Sequence, residues 1–230
     1  MTYQAFISYS HAADGRLAPS LQSGLHKIAK PFYRLRAMRI FRDETNLHLT
    51  PKLWPLIQQA LKESRHFVLM ASPASAQSEW VQNEVAEWLQ LHQDGLETFH
   101  IVLTDGEIVW DDSIGDFDWG KSNALPQSLR KKFEVEPLFL DFRWARESEH
   151  LSLRNPQFLN SVGKLAAAIR NEPLDTIIGE DVRQHRVFKL AAAAAIVLLS
   201  ALLVVASGAA YYANERKKEA ITAANNETVA

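Results

Sequence analysis

Through the first part of the chain, short runs of consecutive apolar residues alternate with stretches whose apolar positions recur every three or four residues. The runs at residues 4–8, 38–41, 66–71, 98–104 and 137–142 predict strands. Most are apolar at successive positions rather than at every second one, the pattern of strands covered on both faces. Helical periodicity at residues 17–29, 52–63 and 80–92 lies between these runs, and more follows at 156–170. This order predicts an α/β fold: a parallel five-stranded sheet of flavodoxin-like type, helices on both faces and right-handed crossovers. Such sheets bind ligands outside the carboxyl ends of their strands, near a switch in strand order. Residues 8–11, 42–47 and 72–78 each follow a strand, so they are expected to meet at one edge, where the helix of residues 80–92 begins.

That helix carries one carboxylate out of place. At about 100° per residue, Val81, Val85, Trp88, Leu89 and His92 share one arc, while Glu79, Asn83, Ala86 and Gln90 lie roughly opposite. Glu84 belongs to neither arc. With Trp80 a turn before it and Trp88 a turn after, it is expected to sit partly desolvated between aromatic walls, a setting suited to chemistry. The plainer alternative is a glutamate at the border of the solvent face.

Composition narrows the choices. A chain of 230 residues, 47% hydrophobic, suffices for one domain with an appendage. A net charge of -2 provides no basic field for phosphates, so no nucleic-acid partner is expected. With no cysteine, disulfides, thiolate nucleophiles and cysteine-ligated metals are excluded. The 8 histidines are scattered without ligand spacing, so no metal site is expected. A Gly-x-Gly-x-x-Gly turn and a phosphate loop are also missing, which leaves side chains and loop amides to grip any nucleotide. Residues 105–136, with Trp110, Asp111, Asp112, Asp116, Asp118 and Trp119, read as a surface insertion held by aromatic anchors and able to act as a lid. Their acidic spacing lacks the glycine and the distal glutamate of a calcium loop.

A second unit follows. Residues 190–212 hold no charge, and roughly 23 residues at about 1.5 Å each reach about 34 Å, enough to cross a bilayer. Arg183, Arg186 and Lys189 before the run balance Arg216, Lys217 and Lys218 after it, so charge alone sets no orientation. The expected organisation is a domain over residues 1–172, a juxtamembrane linker over 173–189, a transmembrane helix over 190–212 and a polar tail over 213–230. Nothing before the span looks exportable, so the expected arrangement is single-pass with the N-terminal domain cytoplasmic.

Three segments carry a family resemblance. They are Tyr3-Gln4-Ala5-Phe6-Ile7-Ser8-Tyr9-Ser10-His11, Met38-Arg39-Ile40-Phe41-Arg42-Asp43-Glu44-Thr45-Asn46-Leu47 and Ser78-Glu79-Trp80-Val81-Gln82-Asn83-Glu84. In this order, with residues 66–73 before the last, they resemble the signature boxes of the bacterial-type TIR (Toll/interleukin-1 receptor) domain, over roughly residues 1–172. TIR domains include scaffolds that bind other TIR domains and enzymes that cleave nicotinamide from NAD+. Trp80 and Glu84 match the Trp-x-x-x-Glu of the enzymes. The resemblance therefore implies Glu84 as catalytic residue, Trp80 stacked on nicotinamide, and Ser8, Tyr9 and Ser10 as substrate contacts. Asp43 and Leu47 are candidate contacts from the second loop, that of Asp43 dependent on assembly. NAD+ is implied as substrate with no cofactor, and ADP-ribose or a cyclic isomer as product. The expected function is a membrane-tethered NAD+ glycohydrolase in a defence or signalling response, activated as the domains self-associate into a homo-oligomer. The alternative is a non-enzymatic adaptor whose residues 42–47 dock another TIR domain.

Overall fold

A computed structural model describes residues 2–28, 38–42, 53–92, 96–148 and 151–227, with the outer side chains of the last helix only in part. In chain order the elements are β1 (Tyr3–Ser8), α1 (His11–Asp14), α2 (Leu17–Lys27), β2 (Ile40–Arg42), α3 (Leu53–Glu63), β3 (Ser64–Ala71), α4 (Pro73–Gln77) and α5 (Glu79–Leu91). After these come β4 (Phe99–Leu103), β5 (Trp110–Asp111), β6 (Asp116–Phe117), β7 (Phe139–Asp141), α6 (Pro156–Arg170) and α7 (Leu174–Glu227). The five expected strands are β1, β2, β3, β4 and β7. They form one parallel sheet in the order β2-β1-β3-β4-β7. This is the flavodoxin-like order, whose switch point lies between β1 and β3.

Successive strand side chains point to opposite faces, and here both faces are buried. Ala5, Ile7, Val68, Met70 and Val102 enter one core, beneath α2 and α6. Phe6, Phe67, Leu69, Phe99 and Ile101 enter the other, beneath α3 and α5, where Phe6, Phe67 and Phe99 stack ring on ring. Each such side chain contributes roughly 1.5–3 kcal/mol by leaving water. The continuous apolar runs in the sequence follow from this double coverage.

The insertion after β4 is anchored in the second core by Phe117, Ala124, Leu125 and Leu129, with Trp110, Trp119 and Phe133 packed alongside. Its strands, β5 and β6, form an antiparallel two-stranded hairpin. Its acidic groups build turns: Asp111 Oδ1 accepts from the Ser113 amide and hydroxyl, and Asp116 Oδ2 accepts from Trp119 Nε1 at 2.8 Å and from the Lys131 amide. The insertion starts at Gly106, where φ is +77° and an added Cβ would fall 2.3 Å from Asn123 Oδ1 and 2.9 Å from Pro73. Both the backbone and the space demand glycine. Gly106→Ala is expected to destabilise the domain by about 2 kcal/mol or more, seen as a lower thermal midpoint by circular dichroism; an unchanged midpoint would mean this turn bears no strain.

Residues 173–189, expected to be a linker, are helical from Leu174 onward. Ile177 is fully buried in the first core, and a Cβ on Gly163 would meet Leu174 and Ile178, so the start of α7 packs closely on α6. The chain divides into compact units Met1–Val182 and Arg183–Ala230. In the second unit, Lys189–Asn214 is a 26-residue stretch long and apolar enough to cross a membrane.

Candidate functional site

Two caps fix where α5 begins. The Ser72 hydroxyl accepts from the Ser75 amide while the Ser75 hydroxyl accepts from the Ser72 amide, closing a reciprocal box at the start of α4. Ser78 then ends α4 and caps α5, its hydroxyl accepting from the Val81 amide. Helix α5 leaves the carboxyl edge of β3 with Val81, Val85 and Trp88 buried. Glu84 is also buried, with 5% of its surface exposed. Ser8, the last residue of β1, donates its hydroxyl to Glu84 Oε2 at 2.5 Å. This bond joins the first strand to the α5 helix.

Glu84 lines a cavity of about 270 Å³ together with Ile7, Tyr9, Ser10, His11, Ala12, Ser78 and Trp80. That volume lies near the lower end for small-molecule sites. Tyr9 and His11 stack with centroids 4.6 Å apart and planes 17° apart. Arg42, at the end of β2, donates from Nη1 to the Tyr9 hydroxyl at 2.8 Å and from Nε to Gln22 Oε1 at 3.2 Å. The end of β1, the loop after it and the start of α5 thus converge on one pocket at the switch point of the sheet, and Arg42 at the end of β2 is bonded to its Tyr9 wall.

Ser8, Tyr9, Ser10, Trp80 and Glu84 come together here, whereas Asp43 and Leu47 lie outside the described residues. The expected pair of aromatic walls is corrected. Trp80 lines the pocket with 46% of its surface exposed, but Trp88 is fully buried, 3.8 Å from the His92 ring and 5.4 Å from Phe67. Trp88 shares the arc of Val81 and Val85, so the helix turns it into the core. Among the described residues, the pocket's aromatic lining besides Trp80 is the Tyr9–His11 pair, at the start of the loop after β1 and of α1. No residue of the insertion 105–136 lines this pocket, so the insertion is not a lid in this arrangement.

Sequence reasoning also passed over a polar cluster beside the pocket. Asp14, 1% exposed, accepts from the Ser72 hydroxyl at 3.3 Å and pairs with Arg146 Nη2 at 3.3 Å. Burial raises its pKa above the usual carboxylate value, opposed by the Thr104 hydroxyl, Arg146 and Ser72, while Asp105 adds to the rise. The only early signal was a carboxylate in a loop directly after a strand. Among the described residues, no group of three or more histidine, aspartate or glutamate side chains is placed to hold a metal ion.

Residues 5–131 match the family model described as TIR domain. The chain is 46% identical over 186 residues to the NAD(+) hydrolase ApTIR of Actinoplanes sp. (strain ATCC 31044 / CBS 674.73 / SE50/110), covering 81% of this chain and 26% of that protein. The chain therefore spans about a quarter of the length of this curated relative. Among solved structures, the TIR domains of the activated Roq1 resistosome directly recognizing the pathogen effector XopQ align with 79% of this chain and 98% of theirs, at 14% identity and a TM-score of 0.38. With the family match reaching from β1 into the insertion and covering more than half of the chain, the chain belongs to the TIR domain family.

Proposed function

We propose that the chain is an NAD+ glycohydrolase, tethered to a membrane by residues 190–212 with the N-terminal domain in the cytoplasm, and activated by self-association in a defence or signalling response. The observation that carries the reading is the Glu84 carboxylate, buried on the wall of an open pocket and oriented by Ser8. The similarity to an NAD(+) hydrolase over 81% of the chain supports it.

The reaction sets simple demands. NAD+ joins ribose to a cationic nicotinamide, so cleavage releases a neutral base and the positive charge grows on the sugar. The departing group needs no strong acid. The pocket must hold the sugar, exclude part of the water and place a negative charge beside the reacting carbon. A carboxylate about 4 Å away, at an effective dielectric of about 20, supplies roughly 4 kcal/mol, near a thousandfold in rate. Ser8 keeps the Glu84 oxygen from turning away, which makes that stabilisation preorganised rather than induced. In this reading Trp80 stacks on the nicotinamide ring, while Tyr9 and Ser10, which line the same pocket, supply further contacts. Asp43 and Leu47, outside the described residues, are the remaining proposed contacts, Asp43 once a second TIR domain is in place.

Tethering accounts for activation by concentration alone. Chains confined to one surface meet far more often than chains in bulk, which favours association without any new contact. The full chain in lipid vesicles is therefore expected to release nicotinamide from NAD+ at a rate per molecule that climbs with its density in the vesicle. A rate per molecule independent of density would remove self-association from the proposal. Capture of other TIR domains with no turnover at any density would leave the non-enzymatic adaptor instead.

A further inference from the structure

We infer that Asp14 and Arg146 are positioning residues for the Glu84 pocket, a buried clasp across the carboxyl ends of the sheet that holds the wall formed by Ser10, His11 and Ala12. Neither residue lines the pocket. Asp14 closes the short helix α1, and its amide donates to the Ser10 carbonyl at 2.8 Å, so any movement of Asp14 carries the wall with it. Its carboxylate is gripped from two sides, by the Ser72 hydroxyl beyond β3 and by Arg146 beyond β7. Arg146 in turn donates from Nε to the Thr104 carbonyl at 2.6 Å and lies 3.7 Å from Asp105. A second strut runs the other way, with Arg16 Nη2 donating to the Arg146 carbonyl at 2.7 Å and to the Ser148 carbonyl at 3.3 Å. Four strand ends are thereby tied to one turn.

A buried carboxylate paired with a half-buried guanidinium is a weak source of net stability, because desolvation of the carboxylate and solvent screening of the guanidinium offset most of their attraction. Their effect here is geometric. A helix of four residues cannot hold itself, since its nucleation is unfavourable and it makes few bonds of its own. Without the clasp, the wall drifts while Ser8 and Glu84, held by β1 and α5, stay where they are. The kinetic side of this inference rests on the NAD+ reading of the pocket.

The test compares the full chain with Asp14→Asn, Arg146→Met and Arg146→Lys. A wall that contacts substrate equally before and during reaction affects KM, so Asp14→Asn and Arg146→Met are expected to raise KM for NAD+ about tenfold, with kcat within about threefold of the parent. Arg146→Lys retains the charge and should recover part of the loss. Partial unfolding would do the reverse, lowering apparent kcat and leaving KM alone. Hydrogen exchange by mass spectrometry supplies a readout independent of turnover: peptides covering residues 10–14 should exchange faster in Asp14→Asn and Arg146→Met, while those of α5 remain protected. Unchanged KM or unchanged exchange in this segment would overturn the clasp. If the parent chain leaves NAD+ intact, the enzymatic proposal falls and exchange alone decides the matter.

Discussion

Glu84→Gln is expected to lower kcat for nicotinamide release by at least about a thousandfold while leaving the protein folded. Glutamine keeps the shape of the side chain and an oxygen that accepts from the Ser8 hydroxyl, so the link between β1 and α5 persists. What disappears is the negative charge, the one property that the growing cation on the ribose requires. Replacing a buried charge with a neutral group of equal volume relieves desolvation, so the thermal midpoint should stay the same or rise. This combination separates catalysis from folding. Turnover is measured by chromatography of released nicotinamide, at equal vesicle density and with the melting curve recorded on the same sample. Activity within about tenfold of the parent would mean that Glu84 is not the stabilising charge, since roughly 1.4 kcal/mol is far less than a close carboxylate supplies. KM for NAD+ should change much less than kcat, because the charge acts mainly on the transition state.

The contrast between Glu84 and Asp14 shows what a linear sequence discloses. Glu84 stood out because helical geometry placed it off both the apolar and the polar arc, and the structure buries it. The five strands were readable for an equally local reason, since coverage on both faces writes an unbroken apolar run. Trp88 shows the limit of reasoning by proximity: one turn from Glu84 in sequence, it is directed into the second core by the arc it occupies. Asp14 and Arg146 lie 132 residues apart, and nothing local to either marks the other. Their pairing follows from topology, because only the parallel sheet brings the end of β7 across to the turn after β1. The hairpin of β5 and β6 was invisible for a different reason, as strands of two residues are too short to show a period. The pocket wall of Ser10, His11 and Ala12 likewise follows a strand without any periodicity of its own.

A second large effect is expected far from the pocket, in the dependence of stability on pH. His66 on β3 and His100 on β4 stack with centroids 5.2 Å apart, and Nδ1 of the first lies 3.0 Å from Nε2 of the second. At that separation one ring donates and the other accepts, so the pair cannot take up a second proton on these nitrogens without setting two N–H groups against each other. Burial lowers the His100 pKa from 6.5 to about 4, helped by the neighbouring charge of His66. His66 is lowered too, by burial first and then by Arg65. The folded chain therefore holds neutral rings where the unfolded chain binds protons. The stability this contributes is full above pH 6.5 and is lost as pH falls toward 4. From His100 alone the loss between pH 7 and pH 5 is about 2 kcal/mol, or very roughly 4–8 °C in the melting midpoint. His66 adds to it in the same direction.

His100→Gln should remove His100's share of that slope, because the glutamine does not titrate, while His66, still lowered by burial and by Arg65, keeps its own. Carboxylates with lowered pKa values, among them Asp111, Asp118 and Asp141, lose their contribution only at lower pH and so fall largely outside this window. Asp14 works in the opposite sense, since its raised pKa makes its ionised form a liability that fades on acidification, but it is present in both proteins and cancels in the comparison. The decisive quantity is the difference in midpoint between pH 7 and pH 5, measured for both chains. Parallel curves would show that the pair takes up its proton without strain, and that two stacked rings at the amino ends of β3 and β4 set no acid limit on the fold that positions Glu84.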